Sequence, residues 1–217
     1  MNTVTIARQT VPQTAALAPM ASVADTAYRT LCAEHGACMT TGELVSAKGL
    51  CYGSRGSAEL CRITQAERPM GLQLFGSEPE FISEAVQRLL DFQPDWIDLN
   101  MGCPVPKVVN QGAGSALMKT PELAGECLKA AVRAADGKCA VTVKMRIGWD
   151  AEHINAVDFA KRMEAEGAEA SKTWYCHAPK GHFNYPDGVA DNSHLSQTGA
   201  ARVAEMIAEA LKEDRIW

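Results

Sequence analysis

Between about residues 15 and 170 the chain alternates short apolar runs with stretches of helical periodicity, and this alternation restricts its possible folds more than any other feature. The apolar runs are AALAPM at 15–20, ACMTTGEL at 37–44, MGLQLFG at 70–76, WIDLN at 96–100 and AVTVKMRI at 140–147. Helices are expected over about 25–35, 78–91 and 153–166, with another opening at Thr120 and Pro121, a residue pair suited to the N-cap and first helical position. Five strand-helix units can be counted. Strands interleaved with helices imply an α/β protein with a parallel sheet, because parallel neighbours need a crossover between them. A doubly wound sheet and a (β/α)₈ barrel both satisfy this pattern.

Beyond Glu169 the pattern stops. The segment SKTWYCHAPKGHFNYPDGVADNSH at 171–194 has little apolar periodicity and reads as loop. In the last segment Val203, Ile207, Ala210 and Leu211 fall at helical spacing, so the chain is expected to end in an amphipathic helix.

With 217 residues, 47% hydrophobic and 22% charged, the chain can build a sizeable core. Its net charge of −5 gives no overall attraction for a polyanion, so an RNA partner would have to be held by a local basic patch. No apolar stretch approaches the roughly 20 residues of a membrane span, and the first residues lack the pattern of a secretory signal. A cytoplasmic protein without a membrane partner is the expectation. The eight cysteines are scattered, with no Cys-x-x-Cys pair, which argues for reduced thiols rather than a zinc cage or a disulfide framework.

Parallel α/β folds bind ligands at the carboxyl ends of their strands, so the residues that follow each apolar run are the informative ones. They are Pro19 and Met20, then Glu43, then Gln73, then Asn100 and Cys103, then Lys144 and Arg146. Cys103 lies between Gly102 and Pro104, a flexible and a stiff neighbour, in the loop that follows the fourth apolar run. A core position is the alternative reading of Met20. The run GAGSAL at 112–117 has two glycines of a dinucleotide fingerprint but lacks the third and does not directly follow a strand, so a Rossmann site is not expected.

Four segments, LAPMASVADTAYR, LQLFGSEPE, DLNMGCPVPKVVNQGAGSALM and VTVKMRIGWD, together resemble the tRNA-dihydrouridine synthases, over about residues 12–170. The resemblance implies a TIM barrel carrying FMN, with NADPH as reductant and a uracil ring of tRNA as substrate. Pro19, Met20, Gln73 and Lys144 fall on flavin-holding positions of the family, Asn100 and Arg146 on positions that address flavin and uracil, and Cys103 on that of the proton donor. The chemistry is consistent with those roles. Reducing the uracil C5=C6 bond takes a hydride at C6 and a proton at C5, and a thiol with an ordinary pKa of about 8.5 still holds its proton at neutral pH. A cation such as Lys144 would stabilise anionic reduced flavin, and Arg146 could donate to a uracil carbonyl.

A complete barrel of this class has eight units and about 250 residues. Residues 1–170 are therefore read as a partial TIM barrel of about five units, and 171–217 as a loop-plus-helix tail that is not an independent domain. The tail segment NYPDGVADNSHLSQTGAARVAEMIAEAL resembles the end of SGNH (GDSL-type) carbohydrate acetylesterases, with Asp191 and His194 on the family's Asp-x-x-His pair. That resemblance implies a base and its orienting carboxylate, but the Gly-Asp-Ser turn that carries the nucleophile has no counterpart here. Three functions follow as alternatives: a flavin-dependent uracil reductase, a non-catalytic chimeric fragment, and an esterase remnant. The open edge of an incomplete barrel adds self-association as a further expectation.

Overall fold

A computed structural model describes residues 3–12, 14–150 and 152–169, together with the backbone of 176–178 and 189–191. Its centre is a parallel sheet of four strands, β3 (Thr40–Ser46), β4 (Met70–Phe75), β5 (Trp96–Met101) and β6 (Ala140–Met145), ordered β3-β4-β5-β6. Outside β3 a single parallel bridge joins Leu17 to Thr40. The run at 15–20 contributes only this bridge because Pro19 has no N–H to extend a ladder and the Met20 carbonyl accepts the amides of Val23 and Ala24 in a turn. The helices are α1 (Thr26–Glu34), the short α2 (Ala47–Cys51) and α3 (Arg55–Glu59), α4 (Pro79–Leu90), the one-turn α5 (Pro106–Val109), α6 (Pro121–Ala135) and α7 (Ala156–Ala165).

Strand order decides between the two architectures left open by the sequence. A doubly wound sheet reverses direction at a switch point, whereas here each strand lies beside the one before it. The arrangement is an arc of a TIM barrel with five strand-helix units, the first reduced to its bridge and α1.

Helix starts follow local chemistry. Asp25 caps α1, its carboxylate accepting the Tyr28 amide at 2.8 Å, and Pro79 and Pro121 open α4 and α6. Thr120 occupies the N-cap of α6 as expected, but its side chain makes no capping hydrogen bond.

The two faces of the sheet differ in chemistry. Leu72, Leu74, Ile97, Leu99, Met101 and Val141 point outward into the main core, where they meet Ile82, Val86 and Leu89 of α4, Leu128 and Ala131 of α6, and Phe159 and Met163 of α7. Gln73, Asp98, Asn100, Thr142 and Lys144 occupy the alternate positions and line the inner face.

The amino ends of the strands are closed by a hairpin that the sequence pattern did not announce, β1 (Thr3–Ile6) paired antiparallel with β2 (Gln9–Pro12). Ile6, Ala7 and Val11 form a second core with Cys38, Met39, Trp96 and Ala140. Trp96 lies across Gly71, where an added Cβ would come within 2.1 Å of the indole. Arg8 fastens the hairpin from outside, bonding the Glu169 carboxylate and the Gly137 carbonyl.

A buried ion pair joins α1 to the segment before β4. Arg29 and Glu67 meet at 2.6 Å with side chains 3% and 0% exposed, and the remaining guanidinium donors reach Ala24 O, Thr26 Oγ1 and Arg62 O. Four of the five guanidinium N–H groups are thus bonded, with at least one bond from each nitrogen, which makes such a buried charge tolerable. Within the segment read as loop, β7 (Cys176–Ala178) and β8 (Val189–Asp191) pair antiparallel. The C-terminal helix expected around Val203 and Leu211, and His194, lie outside the described residues. Among the described residues no helix is long and apolar enough to cross a membrane.

Candidate active site at the carboxyl ends of the strands

The parallel register places Gln73 opposite Asp98 and Asp98 opposite Thr142, so three polar side chains form one row across β4, β5 and β6. Asn100 and Lys144 are paired one row further toward the carboxyl ends. The lower row is buried, and its bonds are short: Asp98 Oδ2 accepts from Gln73 Nε2 at 2.6 Å, and Asp98 Oδ1 from Thr142 Oγ1 at 2.6 Å. Burial pushes the Asp98 carboxyl above the usual carboxylate range, while the Gln73 and Thr142 donors and the charge of Lys144 act the other way.

The upper row is tied to the lower one. Asn100 Nδ2 donates to Gln73 Oε1 at 3.0 Å, and Asn100 Oδ1 accepts the backbone N–H groups of Gly102 at 3.2 Å and Cys103 at 2.9 Å. This Asx-type turn ends β5 and fixes the loop that carries the thiol. From the other side the Cys103 carbonyl accepts the Ser115 amide at 3.0 Å. Gly114 makes that approach possible, for its φ is +60° and an added Cβ would stand 2.5 Å from the Cys103 carbonyl oxygen. Gly114 of GAGSAL thus braces the Cys103 loop, while Gly112 lies against Ser77. Gly102 packs on the end of β6, where a Cβ would lie 3.4 Å from Arg146 Cγ, so Arg146 and the Cys103 loop are neighbours.

The sequence-derived residues therefore divide. Gln73, Asn100, Cys103, Lys144 and Arg146 gather on β4, β5, β6 and the loops that follow β5 and β6, and Lys144, Arg146 and Cys103 are half-buried. Pro19 and Met20 follow the bridge at Leu17, and half-buried Met20 packs against the small core of Leu17, Ala24 and Cys32. Glu43 accepts the Ser22 amide and thereby secures the loop that follows Pro19 and Met20.

Comparison with known proteins bears on the same segments. The dihydrouridine synthase (Dus) family pattern matches residues 16–171. The chain belongs to the dihydrouridine synthase family. It is similar to tRNA-dihydrouridine synthase B of Pseudomonas aeruginosa, 40% identical over 170 residues, which cover 78% of this chain and 51% of that protein. A probable tRNA-dihydrouridine synthase of Rickettsia bellii is 42% identical over 154 residues, 70% of this chain and 47% of that protein. The enzyme named tRNA-dihydrouridine synthase B in Xanthomonas campestris is 35% identical over 192 residues, 88% of this chain and 56% of that protein. This dihydrouridine synthase family member thus spans about half the length of the curated relatives it matches.

Two parts of the site were missed in the sequence. Asp98 and Thr142 sit within apolar runs, and the available signal was their polar character two residues before Asn100 and Lys144, the spacing of one sheet face. The bracing by Gly114 and Ser115 had no sequence signal, because it depends on a loop folding back from the start of the next helical segment.

Proposed function

We propose that this chain carries the flavin and proton-donor half of an FMN-dependent reductase that converts uridine in tRNA to dihydrouridine, with NADPH as the reductant. The supporting observation is the junction of the inner-face polar rows with a doubly pinned thiol: Gln73, Asn100 and Lys144 on adjacent strands, and Cys103 held at both its N–H and its C=O.

The donor set suits the polar edge of a flavin ring. Gln73 retains a second amide hydrogen beyond the one given to Asp98, and Lys144 adds a cation beside Asn100. Pro19 and Met20 would complete the hold from the first loop. Bound FMN would supply hydride chemistry at uracil C6, with NADPH as the source of the electron pair. Cys103 Sγ holds the proton that C5 requires. Arg146, packed beside the Cys103 loop, donates to a uracil carbonyl as negative charge accumulates there. The overall change is uridine plus NADPH plus a proton, giving dihydrouridine and NADP⁺.

The test is to add FMN to the purified chain, remove the excess, and measure retained flavin absorbance, NADPH oxidation and dihydrouridine formed in tRNA. Retention of flavin with turnover is expected. Cys103→Ala should keep the flavin and lose product formation by about 10²- to 10⁴-fold, the usual contribution of a positioned acid. A chain that retains no flavin and consumes no NADPH would instead be the non-catalytic fragment.

A further inference from the structure

We propose that Asp98 is the positioning residue that sets the direction of the hydrogen bonds running from the sheet interior to the Cys103 loop, with Thr142 holding it in place. The proposal deepens the reading of the site as a reductase centre and rests on it for its functional meaning, although its physical basis is independent of any cofactor.

A carboxylate only accepts, whereas each amide side chain can present either its oxygen or its nitrogen to a neighbour. Asp98 Oδ1 takes the Thr142 hydroxyl, which leaves Oδ2 facing Gln73, and only Gln73 Nε2 can bond to it. Gln73 Oε1 is thereby turned to Asn100, and only Asn100 Nδ2 can bond to that oxygen. Asn100 Oδ1 is then the atom left for the backbone N–H groups of Gly102 and Cys103. Every link is donor to acceptor in one sense, and only Asp98 can accept without also donating. An amide at position 98 could offer its own N–H to Gln73, reverse the Gln73 amide, and set nitrogen against nitrogen at Asn100. Leaving a buried donor unpaired carries its full desolvation penalty, enough to loosen the loop that Asn100 pins.

The experiment reads the loop directly. The full-length chain is labelled with iodoacetamide, and peptide-resolved mass spectrometry gives the labelling rate of Cys103 relative to Cys51, another half-buried thiol. Asp98→Asn should raise this ratio about 5- to 30-fold, the opening that 1–2 kcal/mol produces. Combining Asp98→Asn with Gln73→Glu should return it to near the unmutated value, because the introduced amide at 98 donates to the introduced carboxylate at 73, which still accepts from Asn100. A role in packing alone would not give that rescue. An unchanged ratio in a cooperatively melting Asp98→Asn chain, or failure of the double exchange to restore it, overturns the proposal. If Asp98→Asn does not fold, Thr142→Val decides: a several-fold rise supports the relay, and a ratio equal to the parent's refutes it. FMN binding to the unmutated chain is measured in parallel. Its failure would defeat the flavin reading and leave the role of Asp98, as read by labelling, intact.

Discussion

Asn100 shows how much one side chain does here, since its single amide ends β5, bonds Gln73 and holds two backbone N–H groups of the Cys103 loop. Gly114 closes the other side of that loop. Gly114→Ala should destabilise the fold by about 1–3 kcal/mol, because alanine disfavours the φ of +60° and its methyl would collide with the Cys103 carbonyl. A urea melt of the variant beside the parent checks this. Asp98 gives a pH prediction. Its carboxyl is raised by burial, so the folded chain binds this proton more tightly than the unfolded chain does. The corresponding stability is complete below the ordinary aspartate pKa and is lost as pH rises through the raised folded value. Asp98→Asn lacks this titration, so its stability relative to the parent should improve as pH rises across that window in denaturant titrations. A constant difference would contradict the assignment.

At the scale of elements, the sheet is organised in layers. The lowest joins Gly71, Trp96 and Ala140 and rests on the hairpin, the next holds Gln73, Asp98 and Thr142, and the last holds Asn100 and Lys144. Trp96 couples the hairpin to the sheet, so Trp96→Ala should cost about 3–5 kcal/mol and show the hairpin residues losing amide protection first. Hydrogen exchange read by mass spectrometry tests both parts. The hairpin was not legible in the sequence because its turn at Ala7 and Arg8 adopts positive φ without the Asn-Gly or Asp-Gly pair that usually announces such turns. By contrast, the apolar runs at 70–76, 96–100 and 140–147 mapped onto β4, β5 and β6 with small shifts, since buried parallel strands need unbroken apolar character. The run at 15–20 was apolar enough for a strand, but Pro19 limited it to one bridge.

For the whole molecule, five consecutive units form an arc whose last strand, β6, pairs only with β5 among the described residues. The Glu169 amide donates to the Val141 carbonyl at 2.9 Å on this side, and the rest of the edge has no described strand against it, an arrangement that can template pairing with another chain. Concentration-dependent self-association is the expected outcome, seen as a weight-average sedimentation coefficient that rises across a dilution series. A coefficient independent of concentration would show the edge to be covered.

The sequence by itself determined the alternation of strands and helices, the family, and the candidates Gln73, Asn100, Cys103, Lys144 and Arg146. The family came from the resemblance of four segments, and the rest from local signals: periodicity, helix-start residues and the polar positions that end apolar runs. Tertiary structure alone decided the rest. The choice of barrel arc over doubly wound sheet depends on which strands are neighbours, and the row of Gln73, Asp98 and Thr142 depends on register across three of them. The brace of Gly114 on Cys103 depends on a loop returning through space. Contacts between residues far apart in the chain leave no periodic trace in it, so the carboxylate within WIDLN went unread as a site residue and its partners could not be seen there.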